Sequence, residues 1–161
     1  MSSLRYFETF YNADAMTELS ETEAQARGRY VVTDGEPMRR YRRIIDNELD
    51  SLIYQGWDDP GPALADLGRL AAGVRAEIHS PVEIVSHGGK RWRTWHVSSA
   101  AKVIKILERE YDADGNPLRE NLRSADGELI SSTEYRYAAD GFLLELVTRA
   151  PDGAVMSRQD A

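Results

Sequence analysis

The chain has 161 residues, 42% of them hydrophobic and 29% charged, which is enough apolar material for one packed domain over residues 1–161. It contains no cysteine, so a disulfide framework, a thiol nucleophile and Cys-ligated metal centres are excluded. A net charge of −7 at pH 7 argues against nucleic acid as the default partner. The lack of a long apolar run argues for no membrane partner and a cytoplasmic location.

At the N-terminus, residues Leu4–Tyr11 read as a strand. Residues 13–27 admit two readings. One is a short helix capped by Asn12, with acids early, Arg27 late and Gly28 past its end; the other is a hairpin arm opened by the turn Tyr11-Asn-Ala-Asp14. Tyr30–Thr33, Met38–Ile45 and Leu49–Trp57 read as three strands around the turns Asp34-Gly35 and Asp46-Asn47. Within them Arg39, Arg40, Arg42 and Arg43 alternate across both faces. That suits an edge strand or a two-sided polar strand facing the acidic stretch 46–59.

Asp58-Asp-Pro-Gly-Pro62 is a breaker that also supplies an N-cap aspartate and a proline suited to the first helical position. After it Leu64, Leu67, Ala71, Val74 and Ile78 step by three and four residues. The spacing predicts an amphipathic helix over about 62–78, weakened by Gly68 and Gly73 and ended before Pro81. Val82–His87 and Lys90–Val97 then predict a hairpin about Gly88-Gly89.

From residue 103 onward the sequence repeats. Asp-Gly recurs at Asp114-Gly115, Asp126-Gly127, Asp140-Gly141 and Asp152-Gly153, at intervals of 12, 14 and 12 residues, which fits short strands joined by tight turns. Asp accepts local backbone hydrogen bonds and Gly tolerates positive φ, so each pair marks a hairpin tip. The third residue after each glycine is apolar: Met38, Leu118, Ile130, Leu144 and Met156. The expected fold is α+β but mostly β, an antiparallel hairpin-repeat meander over 103–158 with one helix packed on the sheet. Asn121–Ser124 is its poorest strand in β-formers.

Tyr111-Asp-Ala-Asp-Gly-Asn-Pro-Leu118, and more loosely Tyr137-Ala-Ala-Asp-Gly-Phe-Leu-Leu144, resemble the YD repeat of bacterial Rhs and teneurin-type shells. Similar Tyr/Asp-Gly hairpins occur in MORN-variant antitoxins. The resemblance covers about half the chain. A cargo shell needs far more repeats than this length holds, so the resemblance implies a small interaction module of the immunity-protein or antitoxin type, without catalytic residues to carry over.

Candidate chemistry is sparse. Asp112-x-Asp114-x-Asn116 imitates half a calcium loop, but Pro117 and Arg123 stand where glycine and glutamate are needed, so a turn is the better reading. His87 and His96, on the proposed hairpin, could be neighbours; with His79 they make a poor zinc site. Nothing marks Ser98-Ser99 as nucleophilic, while Glu108 and Glu110 share a strand face, where an acid–base pair could sit. Most distinctive is Lys90-Arg-Trp-Arg-Thr-Trp-His96. It reads as core packing with paired arginines, as a protein-interface hot spot, or as a surface tracking phosphates and stacking bases.

The leading expectation is a non-enzymatic immunity protein or antitoxin. Its partner-binding residues would be Arg91, Trp92, Arg93, Trp95, Glu108 and Glu110, with no cofactor or metal. The partner would be a basic protein toxin, such as a nuclease or another cytoplasm-acting effector, met by an acidic surface. The alternatives are a small enzyme with a carboxylate/His pair on the sheet face, or a nucleic-acid module using residues 90–97. Exposed strand edges would also allow a homodimer.

Overall fold

A computed structural model describes residues 4–33, 39–70 and 73–160. The Asp34-Gly35 turn, Met38 and Ala71 lie outside the described residues. The fold is α+β and mostly β, its strands chiefly antiparallel. Contacts gather into two compact units. The first comprises Met1–Pro81 with Trp95–Val103, the second Val82–Thr94 with Ile104–Ala161.

In the first unit, β1 (Arg5–Phe7) pairs with β2 (Glu18–Leu19) and with β3 (Arg29–Thr33). Between β2 and β3 lies α1 (Glu21–Arg27). Both readings of 13–27 are thus partly realised, but the cap is Ser20 and not Asn12. Ser20 accepts from the Glu23 amide while the Glu23 carboxylate accepts from the Ser20 amide, a reciprocal pairing that satisfies two orphan donors. The initial strand is shorter than residues 4–11 because the chain leaves the ladder after Phe7; Phe10 and Met16 pack against the core of Phe7, Val31 and Ile53.

β4 (Arg40–Ile45) and β5 (Glu48–Gln55) form a hairpin. Its turn residues Asp46 and Asn47 have φ of 55° and 60°, as a two-residue turn matched to strand twist requires. β4 is not an edge strand, since β3 pairs on its other side. Its arginines are two-sided as expected: Arg40 reaches Asp66 at 2.8 Å, while Arg43 lies 3.6 Å from Glu77 and donates to Ser51, within 46–59, at 3.2 Å.

The predicted helix over 62–78 is half correct. α2 (Gly61–Leu70) is helical, but β6 (Arg75–His79) is a strand, parallel to β5, with Ala76 and Ile78 buried. Val74 and Ile78 fit the helical spacing, but Ala76 and Ile78 also fit a two-residue period. The exit through Gly73, at φ 64°, ends the option of a continuous helix. α2 is the crossover that a parallel pair needs. It covers the face of β5 carrying Tyr54, whose hydroxyl donates to Asp66 at 2.8 Å.

In the second unit β7 (Glu83–Ile84) pairs with the start of β8 (Lys90–Val97), around the turn predicted at Gly88-Gly89. A Cβ on Gly89 would meet the Tyr111 carbonyl at 2.9 Å, so only glycine fits there. β9 (Val103–Tyr111), β10 (Pro117–Ser124), β11 (Leu129–Tyr137), β12 (Leu143–Arg149) and β13 (Val155–Asp160) then follow as a meander, each pairing antiparallel with the next. The Asn121–Ser124 stretch is fully laddered.

All four Asp-Gly tips are one structure. The residue three before the glycine accepts from the glycine N–H, and its own N–H donates to the carbonyl just past the glycine: 3.1 and 2.9 Å at Asp112, 3.0 and 2.8 Å at Ser124, 2.9 and 2.8 Å at Ala138, and again 2.9 and 2.8 Å at Ala150. The glycines have φ between 85° and 91°. A fifth copy, hidden in the sequence, closes Ser98 to Lys102 with Ala101 at φ 60° in the glycine's place. Ala101, Gly127 and Gly153 fall 26 residues apart, as do Gly115 and Gly141, so the structural repeat is a full up-and-down pair of strands.

The apolar residue three past each glycine has a common structural role in the meander. In all four hairpins Leu118, Ile130, Leu144 or Met156 is the residue skipped by the cross-strand register, a β-bulge. Leu144 therefore does not line a face with Leu146; it is 53% exposed.

Candidate protein-binding surface

Alternation along β8 puts Trp92 and Thr94 on one face of the second unit's sheet, Arg91 and Arg93 on the other. The two faces have different chemistry. On the Trp92 side the indole stacks on Tyr111 with ring centres 4.9 Å apart, Arg109 pairs with Glu120 at 3.1 Å, and the Thr133 and Thr148 hydroxyls meet at 2.9 Å. On the other side charges alternate across strands. Glu108 is held between Arg93, at 2.8 Å, and Arg123; Glu145 lies between Arg136 at 3.0 Å and Arg158 at 3.6 Å. Such unlike neighbours on adjacent strands each stabilise the sheet by a few tenths of a kcal/mol.

The six expected partner-binding residues differ in exposure and divide between the two units. Trp92 and Trp95 are buried, so their rings serve packing; Trp95 belongs to the first unit, Trp92 to the second. Arg91 is paired with Glu83 at 3.0 Å and Arg93 with Glu108, both arginines keeping about half their side-chain surface. Burial pushes the Glu108 carboxyl up, but the hydrogen bonds and charges of Arg123 and Arg93 outweigh this and hold it below the usual carboxylate range. A carboxylate so held is a structural anion and a poor proton acceptor. Glu110, half-buried, stands opposite Arg119 in the β9–β10 register.

The other candidates resolve into structural roles. The Asp112 carboxylate accepts from the Asp114 and Asn116 amides, both at 2.9 Å, which lowers its pKa and commits it to the turn. His87 is in the β7–β8 turn, while the β7–β8 pairing ends at Glu83–Arg91, so the hairpin does not bring His87 to His96. Ser98 and Ser99 are turn residues. Buried His79 packs against Phe10 and lies 3.2 Å from Glu77. Among the described residues no group of three His, Asp or Glu could hold a metal ion, and no helix is long and apolar enough to cross a membrane.

What the residue-by-residue reading missed is at the hairpin tips. One end of the meander carries the β9–β10 turn, with Asp112 and Asp114, and the β11–β12 turn, with Asp140, Phe142, 74% exposed, and the bulged Leu144. The other end carries the β10–β11 and β12–β13 turns, with Asp126, Glu128 and Asp152 beside exposed Ile130, Val155 and Met156. The chain matches no family model, no curated protein and no solved structure. The apolar residue three past each Asp-Gly was the available signal, and at the bulged Ile130, Leu144 and Met156 it is exposed.

Proposed function

We propose that this protein is a non-enzymatic binding module of the immunity-protein or antitoxin kind, which docks a basic protein toxin with the tips of its second unit. The observation that carries the reading is the exposure of Phe142 (74%) and the bulged Leu144 (53%) at the β11–β12 tip, where Asp140 accepts from the Phe142 amide, at the same end of the meander as the tip carrying Asp112 and Asp114. Large apolar side chains exposed on a carboxylate rim have the make-up of an interface anchor: the apolar groups give affinity, and the charges give encounter rate and register. Short hairpins with repeated turn bonds hold the rim rigid before a partner arrives, which lowers the ordering cost of binding. The net charge of −7 favours a basic partner.

The test is co-expression of the chain with each neighbouring-gene product of its host in cells that the product kills. Rescue by the native chain, lost in Phe142→Asp and weakened in Asp140→Lys while both variants stay folded, supports the reading. Absence of rescue, or rescue indifferent to both substitutions, overturns it. The nucleic-acid alternative fares less well, because Arg91 and Arg93 already neutralise Glu83 and Glu108 and Trp92 is covered.

A further inference from the structure

We propose that two copies of this chain associate edge to edge through β13, antiparallel, about a two-fold axis at Gln159. Every residue of β13 is exposed, and among the described residues only β12 pairs with it. The inference is independent of the tip reading, since it uses a different surface.

The repeat provides the first support. β13 is one 26-residue unit after β11, with Arg158 in the place of Ser132 and Asp160 in that of Glu134. β11 is laddered on both sides: Ser132 pairs with Asn121 and Arg149, and Glu134 with Arg119 and Val147. The same strand, at the same place in the repeat, is therefore built to accept a neighbour on its outer side.

Register provides the second. Antiparallel pairs alternate between exchanging two backbone hydrogen bonds and exchanging none. Counted from the Ala150–Ala154 turn bond through the bulge at Met156, Thr148–Ser157 is a bonded pair and Val147–Arg158 is not. The N–H and C=O of Arg158 and Asp160 then face outward, so an approaching copy bonds through these residues. Pairing Arg158 with Arg158, or Asp160 with Asp160, sets like charges opposite each other. Pairing Arg158 with Asp160 of the second copy sets two unlike pairs opposite each other across the axis and satisfies the outward groups. The edge is self-complementary in that register alone.

Sedimentation equilibrium on the 161-residue chain, from about 10 μM to 1 mM, reads the association. The expected result is a concentration-dependent dimer. D160R, which opposes Arg158, weakens it on the order of tenfold; R158D, which opposes Asp160, does the same; the charge-swapped double variant R158D/D160R regains the native affinity within about threefold. Because Arg158 also approaches Glu145, thermal melting of each variant checks the fold, and concentration-dependent amide-exchange protection at Arg158 and Asp160 is a readout that needs no substitution. A chain that stays monomeric throughout, or a dimer indifferent to the single reversals or not rescued by the double, overturns the proposal.

Discussion

Arg123 and Arg149 stand one repeat apart and make the same bond: each donates Nη1 to the carbonyl of the turn glycine four residues on, Gly127 at 3.1 Å and Gly153 at 3.2 Å. They differ in one respect, since Arg123 alone also donates to a carboxylate, Glu108. Arg149→Met should cost about 1 kcal/mol or less, the value of one exposed bond to a carbonyl. Arg123→Met should cost roughly 1–2 kcal/mol more, because half-buried Glu108 keeps only Arg93. Paired urea-denaturation curves measure the difference.

Ala101 occupies the left-handed position that glycine fills in the four other turns. A Cβ in that conformation is opposed by the adjacent carbonyl. Ala101→Gly should raise stability by up to about 1 kcal/mol, and Gly127→Ala, where nothing lies within 4 Å of an added Cβ, should lower it by about 1 kcal/mol through backbone strain alone. Equal and opposite shifts in melting temperature would verify both.

Glu77 predicts the acid limb of the stability curve. Burial raises its carboxyl pKa, but the His79 contact and the charges of Arg43, His79 and His96 outweigh this and hold it at about 2. A pKa lower in the folded chain than in the unfolded one gives stability that is complete above the unfolded value, near 4.5, and is lost as pH falls towards 2. Glu77→Gln should therefore cost up to roughly 3 kcal/mol at pH 7 and flatten the stability-against-pH curve between those limits.

Asp66 ties α2 to the sheet through Tyr54 and Arg40, and pairs within the helix with Arg69. Burial pushes the Tyr54 hydroxyl far up, so it remains a donor to Asp66 across the working pH range. Asp66→Ala strips the acceptor from a fully buried phenol and should cost roughly 3 kcal/mol; Tyr54→Phe, which removes the donor instead, should cost about 1 kcal/mol. Equilibrium unfolding followed by circular dichroism reads both.

The meander was legible because its signals are local. Asp-Gly fixes a reversal within five residues, and alternation fixes the strand between reversals. The Ser98–Lys102 tip was hidden because alanine carries no mark of positive φ, although the 26-residue spacing back from Gly127 points to it. β6 was misread as helix because residues 74–78 fit both periods, and the pairing with β5 that decides between them lies across α2.

The burial of two of the six proposed contact residues was hidden for a related reason. Composition singled out the tryptophans of β8, yet burial of Trp92, Thr94 and Trp95 along one strand depends on neighbours brought in from elsewhere in the chain. Phe142 and Leu144 were visible as apolar residues beside an Asp-Gly, but only the skipped register explains why Leu144 reaches solvent.

The identity of successive hairpins bears on how such a molecule can change size. Residues 128–131 read Glu-Leu-Ile-Ser, and joining Glu128 directly to Val155 would read Glu-Val-Met-Ser, chemically the same junction. Unequal recombination between the two copies would thus lengthen or trim the scaffold in instalments of two strands, about 10 Å of width at a time, with every seam already compatible. The breadth of the sheet is, for this architecture, a heritable quantity adjusted by copy number and independent of any single side chain.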